Sequence, residues 1–125
     1  MKKKKSGPSE TEIQNSILSY IERRSDVWAW RNNNTPTYDP IRKCFRKMPK
    51  WTPKGVPDII GIHKSGRIIL LEVKTPTGKV SKDQKAFLDR ARALGAITAV
   101  VRSPEDTEIV LDAAGIELPD EQNCL

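Results

Sequence analysis

Hydrophobic positions repeat along the chain with two periods, one typical of helices and one typical of strands. Apolar residues recur every three or four positions in two segments, which predicts helices over residues 10–24 and 81–94. A third helix is predicted over residues 104–115 by the start signal Ser103-Pro104 and the stop near Gly115. Shorter runs rich in β-branched residues predict strands over residues 27–30, 57–63, 67–74 and 97–101. A short strand is also predicted around residues 44–47, whereas residues 32–40, rich in Asn, Thr and Pro, are predicted to form a loop.

These elements predict one α/β domain in which helices flank a mixed sheet. Residues 57–63 and 67–74 are separated by Lys64-Ser65-Gly66, which is the spacing of a hairpin, and both runs are apolar enough to be covered on two faces. Trp28 and Trp30 lie two positions apart on a predicted strand, and we expect them to pack in the core. The domain is predicted over residues 9–118, between a basic tail over 1–8 and a C-terminal tail over 119–125.

Positive charge is concentrated in the first half of the chain. The net charge is +6, but residues 1–56 hold 13 Lys/Arg against 5 Asp/Glu, whereas residues 57–125 hold 9 against 11. Residues 42–54, called the basic block below, contain no acid and six cations: Arg42, Lys43, Arg46, Lys47, Lys50 and Lys54. Such a block attracts polyanions through counterion release, although a solvated loop without a partner has the same composition. Within it Trp51 is a candidate for stacking on bases, and Arg31 with residues 32–34 is a candidate for contacting phosphates.

The composition argues against several other classes of protein. The longest apolar run, residues 68–71, is far shorter than the roughly 20 residues of a membrane-spanning helix. No apolar stretch follows the basic N-terminus as it would in a signal peptide, so we expect a cytoplasmic protein without a membrane partner. Cys44 and Cys124 are not spaced as metal ligands and His63 is the only histidine, so a zinc site of His and Cys is not expected.

The predicted hairpin brings two acids and one lysine together. Glu72 and Lys74 alternate with Val73 at the end of an apolar strand, so their side chains share one face, where an unpaired charge would be costly. Asp58 begins the preceding strand, beside the end of the next one. Adjacent carboxylates favour a hard cation such as Mg²⁺ or Mn²⁺, and Lys74 beside it would orient water and balance phosphorane charge. A structural Glu–Lys or Asp–Lys pair at a sheet edge is the alternative interpretation; the pairing with Asp58 and the nearby basic block favour the metal site.

Three motifs resemble the VRR-NUC branch of the PD-(D/E)xK nucleases, the virus-type replication and repair nucleases. The motifs are Gly55-Val56-Pro57-Asp58-Ile59-Ile60-Gly61, Glu72-Val73-Lys74 and Ser81-x-x-Gln84-x-x-Phe87-Leu88, and the similarity covers residues 9–102. The resemblance implies a restriction-endonuclease-like core of order α-β-β-β-α-β, here followed by a C-terminal helix. It also implies that Asp58 and Glu72 bind a divalent metal, with Val73 in the metal-binding set, that Lys74 is catalytic and that a glutamate of the first helix completes the acidic cluster.

Two further residues have competing interpretations. Glu10 lies three and seven positions before Ile13 and Ile17 and fits the family pattern, whereas Glu12 lies about 200° around the helix from Glu10. Glu10 is therefore the predicted metal ligand. The alternative is that Glu10 only complements the helix dipole. Gln84 either completes a capping box with Ser81 or contributes to the site, as the family's glutamine does, and both interpretations remain open.

The predicted function is hydrolysis of DNA phosphodiesters by a Mg²⁺- or Mn²⁺-dependent endonuclease. The resemblance implies a 5′-phosphate product, a bacterial or phage-infected cell, and a homodimer acting on branched DNA such as Holliday junctions, since two symmetric cuts need two active sites. The alternatives are a non-catalytic DNA-binding accessory protein and a nuclease that acts on flaps and ends.

Overall fold

A computed structural model describes residues 7–33, 38–47 and 49–116. The elements in chain order are α1 (Glu10–Glu22), β1 (Val27–Arg31), β2 (Tyr38–Asp39), β3 (Cys44–Phe45), β4 (Ile59–His63), β5 (Ile68–Val73), α2 (Lys82–Ala93), β6 (Ile97–Val101) and α3 (Pro104–Ile116). The order confirms the predicted α/β fold with a C-terminal helix. None of the helices in these ranges has both the length and the apolar character that crossing a membrane requires.

The predicted loop over residues 32–40 was partly wrong, because Tyr38 and Asp39 form β2 and pair antiparallel with β3. The Asp39 carboxylate accepts hydrogen bonds from the backbone of Ile41 and Arg42, and Lys43 adopts a left-handed φ of 55° that reverses the chain. Asp39 thus stabilises the turn over residues 40–43 that closes a small hairpin. This β2–β3 hairpin, residues 38–45, is separate from the main sheet.

The main sheet has the strand order β1-β4-β5-β6. β4 pairs antiparallel with β1 and with β5, whereas β5 and β6 are parallel. The turn between β4 and β5 uses Gly66 at a φ of 90°, and its N–H donates to the His63 carbonyl at 2.8 Å. A parallel neighbour cannot be reached by a tight turn, so α2 forms the crossover from β5 to β6.

The core lies mainly on one face of the sheet, where α1 and α3 pack against it. Its buried residues are Ile13, Ile17, Ile21, Ile59, Ile69, Leu71, Val73, Ile97, Val101, Leu111 and Ala114. A smaller cluster lies under α2 on the other face and comprises Leu70, Leu88 and Ala96, with Ile60, Phe87, Ala91 and Val100 packed against them. Both faces of β5 are therefore covered over most of its length, which explains its near-continuous apolar sequence.

The expectation that Trp28 and Trp30 pack in the core was wrong. Their side chains are 70% and 39% exposed, with ring centroids 5.0 Å apart. β1 is an edge strand whose other face, with Val27 and Ala29, packs against the core, while α2 lies over the β5 and β6 end of the sheet. The strand register places Trp28 next to Ile62 and Ile62 next to Ile68, which are 44% and 45% exposed. Trp28, Trp30, Ile62 and Ile68 form the open apolar face.

Candidate active site

The hairpin of β4 and β5 brings Asp58 and Glu72 together. Ile59 pairs with Leu71, so Asp58, one residue before Ile59, lies opposite Glu72, one residue after Leu71. Asp58 Oδ2 accepts a hydrogen bond from the Val73 backbone N–H at 2.8 Å, and the Asp58 carbonyl accepts one from Asn32 at 2.7 Å. These bonds fix the Asp58 carboxylate at the end of the sheet.

Glu10 joins these two acids from the first turn of α1. One carboxylate oxygen from each of Glu10, Asp58 and Glu72 lies within 4.8 Å of the others, and we call these three residues the acidic cluster. Glu12 is used differently, since its side chain accepts from the Ser9 backbone while Ser9 Oγ accepts from the Glu12 N–H. The structure therefore separates the two glutamates of α1 into one helix cap and one member of the cluster.

Glu72 is the most deeply buried member of the acidic cluster, with 1% of its surface exposed. Burial, followed by the hydrogen bond and negative charge of Asp58, raises the pKa of Glu72 to about 9, although the charge of Lys74 acts in the opposite direction. Its Oε1 atom is buried and has no hydrogen-bond donor among the described residues. A cation at this point would supply the missing partner and favour the ionised carboxylate.

Lys74 lies on the same face as Glu72, as strand alternation predicts. Its Nζ atom is 3.8 Å from Glu72 Oε2, and its side chain is 13% exposed. The Lys74 backbone N–H donates to the Val101 carbonyl at 3.1 Å, which ties this residue to β6 beyond the end of β5. The ammonium group is therefore positioned beside the acidic cluster by β5 and its parallel neighbour β6.

The two interpretations of Gln84 are compatible in the structure. Gln84 Oε1 accepts from the Ser81 backbone at 2.9 Å, and Ser81 Oγ accepts from the Gln84 N–H at 3.2 Å, so the capping box of α2 is complete. Gln84 Nε2 meanwhile donates to Glu72 Oε2 at 3.2 Å. One amide thus caps α2 with its oxygen and orients Glu72 with its nitrogen; a role in the reaction stays a prediction.

Gly55 and Arg102 position the site in ways that the sequence interpretation missed. Gly55 has a φ of 75°, and a Cβ there would lie 2.7 Å from the Gln84 backbone nitrogen and closer still to the Asp83 carbonyl. Arg102 donates from one guanidinium nitrogen to the carbonyls of Thr75 and Gly78, in the loop after Lys74. The Gly of the first motif was an available signal for close backbone approach, whereas nothing in the sequence indicated the role of Arg102.

The predicted nucleic-acid contacts lie on exposed surface. The described cations of the basic block are all exposed, and Lys50 Nζ is 5.2 Å from the ring centroid of Trp51, which is 88% exposed. Arg31 is also exposed, but its guanidinium donates to Gln14 Oε1 at 2.9 Å and to Asn15 Oδ1, which holds it against α1. Of the predicted phosphate contacts at 32–34, Asn34 lies outside the described residues. DNA binding by all of these residues stays a prediction.

Comparison with known proteins identifies the family of this chain. The family model described as "VRR-NUC domain" matches residues 9–105. One similar solved structure, titled "VRR_NUC domain", has 22% sequence identity and a TM-score of 0.56, and the match covers 82% of this chain and 94% of that one. A second, titled "VRR_NUC domain protein", has 15% identity and a TM-score of 0.56 and covers 88% of each chain. No curated protein matches.

The family match spans most of the chain and contains every member of the acidic cluster together with Lys74 and Gln84. The two structural matches are too distant in sequence to show more than the fold, and that fold agrees with the four-stranded mixed sheet and its flanking helices. The chain therefore belongs to the VRR-NUC family and has its nuclease-type fold.

Proposed function

We propose that this protein is a metal-dependent endonuclease that hydrolyses phosphodiesters of DNA. The observation that carries the proposal is the convergence of three carboxylates within 4.8 Å, one of them fully buried, with Lys74 Nζ beside the buried one. Structural ion pairs pair opposite charges, whereas this site holds three acids to one lysine, and the Glu72 oxygen without a donor has no structural use. A family match alone would not distinguish an active site from its remnant, so the intact set of residues is the stronger support.

The donor set suits Mg²⁺ or Mn²⁺, which prefer carboxylate oxygens and retain water and phosphate ligands. Glu10, Asp58 and Glu72 would hold the ion; Val73 could contribute only its backbone carbonyl, because its side chain is apolar and its N–H is donated to Asp58. The bound ion would supply polarisation of the phosphoryl group and a lowered pKa for its water. Because the pKa of Glu72 is about 9, loading the site at neutral pH releases a proton from the cluster.

The remaining side chains have distinct proposed roles. Lys74 would donate a hydrogen bond to the attacking water and balance the negative charge that develops on the phosphorus oxygens. Gln84 would act as a positioning residue, since its Nε2 holds Glu72 Oε2 while its Oε1 is fixed by the start of α2. The exposed basic block would hold the phosphodiester backbone through charge neutralisation, and Trp51 would stack on a base.

A branched substrate and a homodimer complete the proposal. Two symmetric cuts in a four-way junction need two active sites, and this chain provides one acidic cluster among its described residues. The open apolar face supports a dimer, because four large apolar side chains adjoin on a sheet that no described element covers there. If the face is the dimer interface, sedimentation analysis of Trp28→Ser with Trp30→Ser should show monomers, whereas Ile109→Ser on α3 should sediment like the wild type.

Cleavage of defined DNA tests the main proposal. The protein would be given a labelled four-way junction, a flap and a plain duplex, each with Mn²⁺, with Mg²⁺ and with EDTA. We expect metal-dependent cutting, greatest on the junction, that is lost in Asp58→Asn and Lys74→Met and kept in Glu108→Gln, an exposed acid of α3. Binding without cutting of any DNA by the wild type would refute the nuclease and favour an accessory protein. Preferential cutting of the flap would refute the junction as substrate and retain the chemistry.

A further inference from the structure

The turn of the β2–β3 hairpin is held by two hydrogen bonds and presents Ile41 to solvent. Asp39 Oδ1 accepts from the backbone N–H groups of Ile41 at 2.9 Å and Arg42 at 3.2 Å, so one carboxylate fixes the turn on which Ile41 stands. Ile41 is 91% exposed, the highest value among the exposed large hydrophobic residues that the structure describes. A single exposed isoleucine is ordinary, so Ile41 gains significance only from the apolar residues beside it.

Aromatic rings form the base of the same projection. Tyr38 and Phe45 pair across the two strands with ring centroids 5.4 Å apart in an edge-to-face arrangement, and they are 50% and 62% exposed. Together with Ile41 they give the hairpin an apolar ridge. β2 and β3 pair with each other and not with the main sheet, so the ridge contributes nothing to the core clusters.

The charge around the ridge is positive, which suits a polyanionic partner. Arg42 and Lys43 lie in the turn and Arg46 and Lys47 follow β3, all exposed. Asp39, the acid of the hairpin, is 14% exposed and lies 3.9 Å from Arg42 and 4.0 Å from Arg46, so both guanidinium groups lie near the ridge. An apolar edge surrounded by cations complements a nucleic acid, where the cations contact phosphates and the apolar group contacts base faces.

We infer that the β2–β3 hairpin is a wedge that inserts Ile41 between bases at the branch point of the DNA substrate. The inference rests on the proposed function, and it supplies what that proposal lacks, a feature that selects branched DNA. Insertion requires the bases to separate, which costs least where stacking is already interrupted. The cations bind any DNA, whereas Ile41 favours DNA with a discontinuity.

Fluorescence of 2-aminopurine at the branch point tests the wedge without cleavage. The full-length protein in EDTA would be titrated into a four-way junction and into a continuous duplex that carry the probe at matched positions, and emission and affinity would be recorded. We expect emission from the junction to rise with the wild type and with Ile41→Leu, because the probe unstacks. In Ile41→Ser we expect little rise and a preference for junction over duplex that is about tenfold lower, with unchanged duplex affinity.

Two outcomes would overturn the wedge: no rise in emission with the wild type, or an equal rise and preference with Ile41→Ser. Ile109→Ser is the matched control, since it also removes an exposed isoleucine, but from α3. The substitution at Ile41 leaves its backbone N–H in place for Asp39, so the turn is retained. Metal-dependent cutting without unstacking refutes the wedge alone, whereas unstacking without metal-dependent cutting refutes only the nuclease.

Discussion

Replacement of Glu72 by glutamine should flatten the pH dependence of stability in the metal-free protein. Burial and Asp58 raise the pKa of Glu72 to about 9, whereas a glutamate in the unfolded chain titrates near its ordinary pKa of about 4.3. Between these two values the folded protein retains a proton that the unfolded chain has released. Stability therefore decreases as pH rises through this window, and the decrease is complete above the folded pKa.

The magnitude follows from the release of one proton. A full difference of one bound proton changes the free energy of unfolding by about 1.4 kcal/mol per pH unit, so the Glu72 contribution between pH 6 and pH 8 is a loss of about 3 kcal/mol. Glutamine at this position does not titrate and should lack that loss. An added divalent cation should restore stability at pH 8 in the wild type, because it binds the folded, ionised cluster and not the unfolded chain.

Urea unfolding at pH 6, 7 and 8 in EDTA measures this effect. The difference between the wild-type and Glu72→Gln slopes isolates Glu72 from other titrating groups. Glu108→Gln removes an exposed carboxylate of α3 and should keep the wild-type slope. If Glu72→Gln lost stability between pH 6 and pH 8 as steeply as the wild type, the interpretation of Glu72 as a buried, protonated acid in the metal-free protein would be wrong.

Three further predictions concern the support of the site and its binding to DNA. Gly55→Ala should lower the free energy of unfolding by about 1–3 kcal/mol more than Gly66→Ala. Both glycines have positive φ, but only at Gly55 would the Cβ meet backbone atoms. Equal decreases for the two variants in urea unfolding would contradict this. Ser81→Ala should cost about 1 kcal/mol of stability by removing the cap, without changing Mn²⁺ affinity. Gln84→Ala should lower both the stability and the Mn²⁺ affinity, because it also removes the hydrogen bond to Glu72. Equal Mn²⁺ affinities of the two variants in calorimetry would contradict the positioning role of Gln84. Arg46→Ala with Lys47→Ala should reduce the slope of log affinity against log salt for DNA binding by about 0.9 for each phosphate that the variant no longer neutralises. Lys64→Ala in the β4–β5 turn should leave this slope unchanged. Identical slopes for the double variant and the wild type would exclude Arg46 and Lys47 from the interface.

The pairing of Asp58 with Glu72 and the distinction between Glu10 and Glu12 follow from features that the sequence displays locally, whereas the contact of Glu10 with the other two acids joins segments distant in sequence. A three-residue turn fixes the pairing of β4 with β5, and that pairing alone places Asp58 opposite Glu72. Helical periodicity separates Glu10 from Glu12, and Ser9 uses the latter for the cap. These relations depend on neighbours within a hairpin or a helix turn, which explains why they could be predicted without coordinates.

The features that could not be predicted depend on which elements cover each other. Alternation along β1 shows that Trp28 and Trp30 share a face, but not that α2 lies over the other end of the sheet and leaves this face open. The contact of Gly55 with the start of α2 and the bonds from Arg102 to Thr75 and Gly78 likewise join segments distant in sequence. The capping bond of Gln84 is local and could be predicted, whereas its bond to Glu72 depends on how α2 packs beside the end of β5.

Calorimetric titration of Mn²⁺ into the metal-free protein at pH 8 tests the central claim most directly, because it measures occupation of the acidic cluster without DNA or turnover. We expect saturable binding by the wild type and by Glu108→Gln, and affinity at least about tenfold weaker in Asp58→Asn and Glu72→Gln. Binding that survives both of those substitutions, or no binding by the wild type, would contradict a cation site formed by Glu10, Asp58 and Glu72.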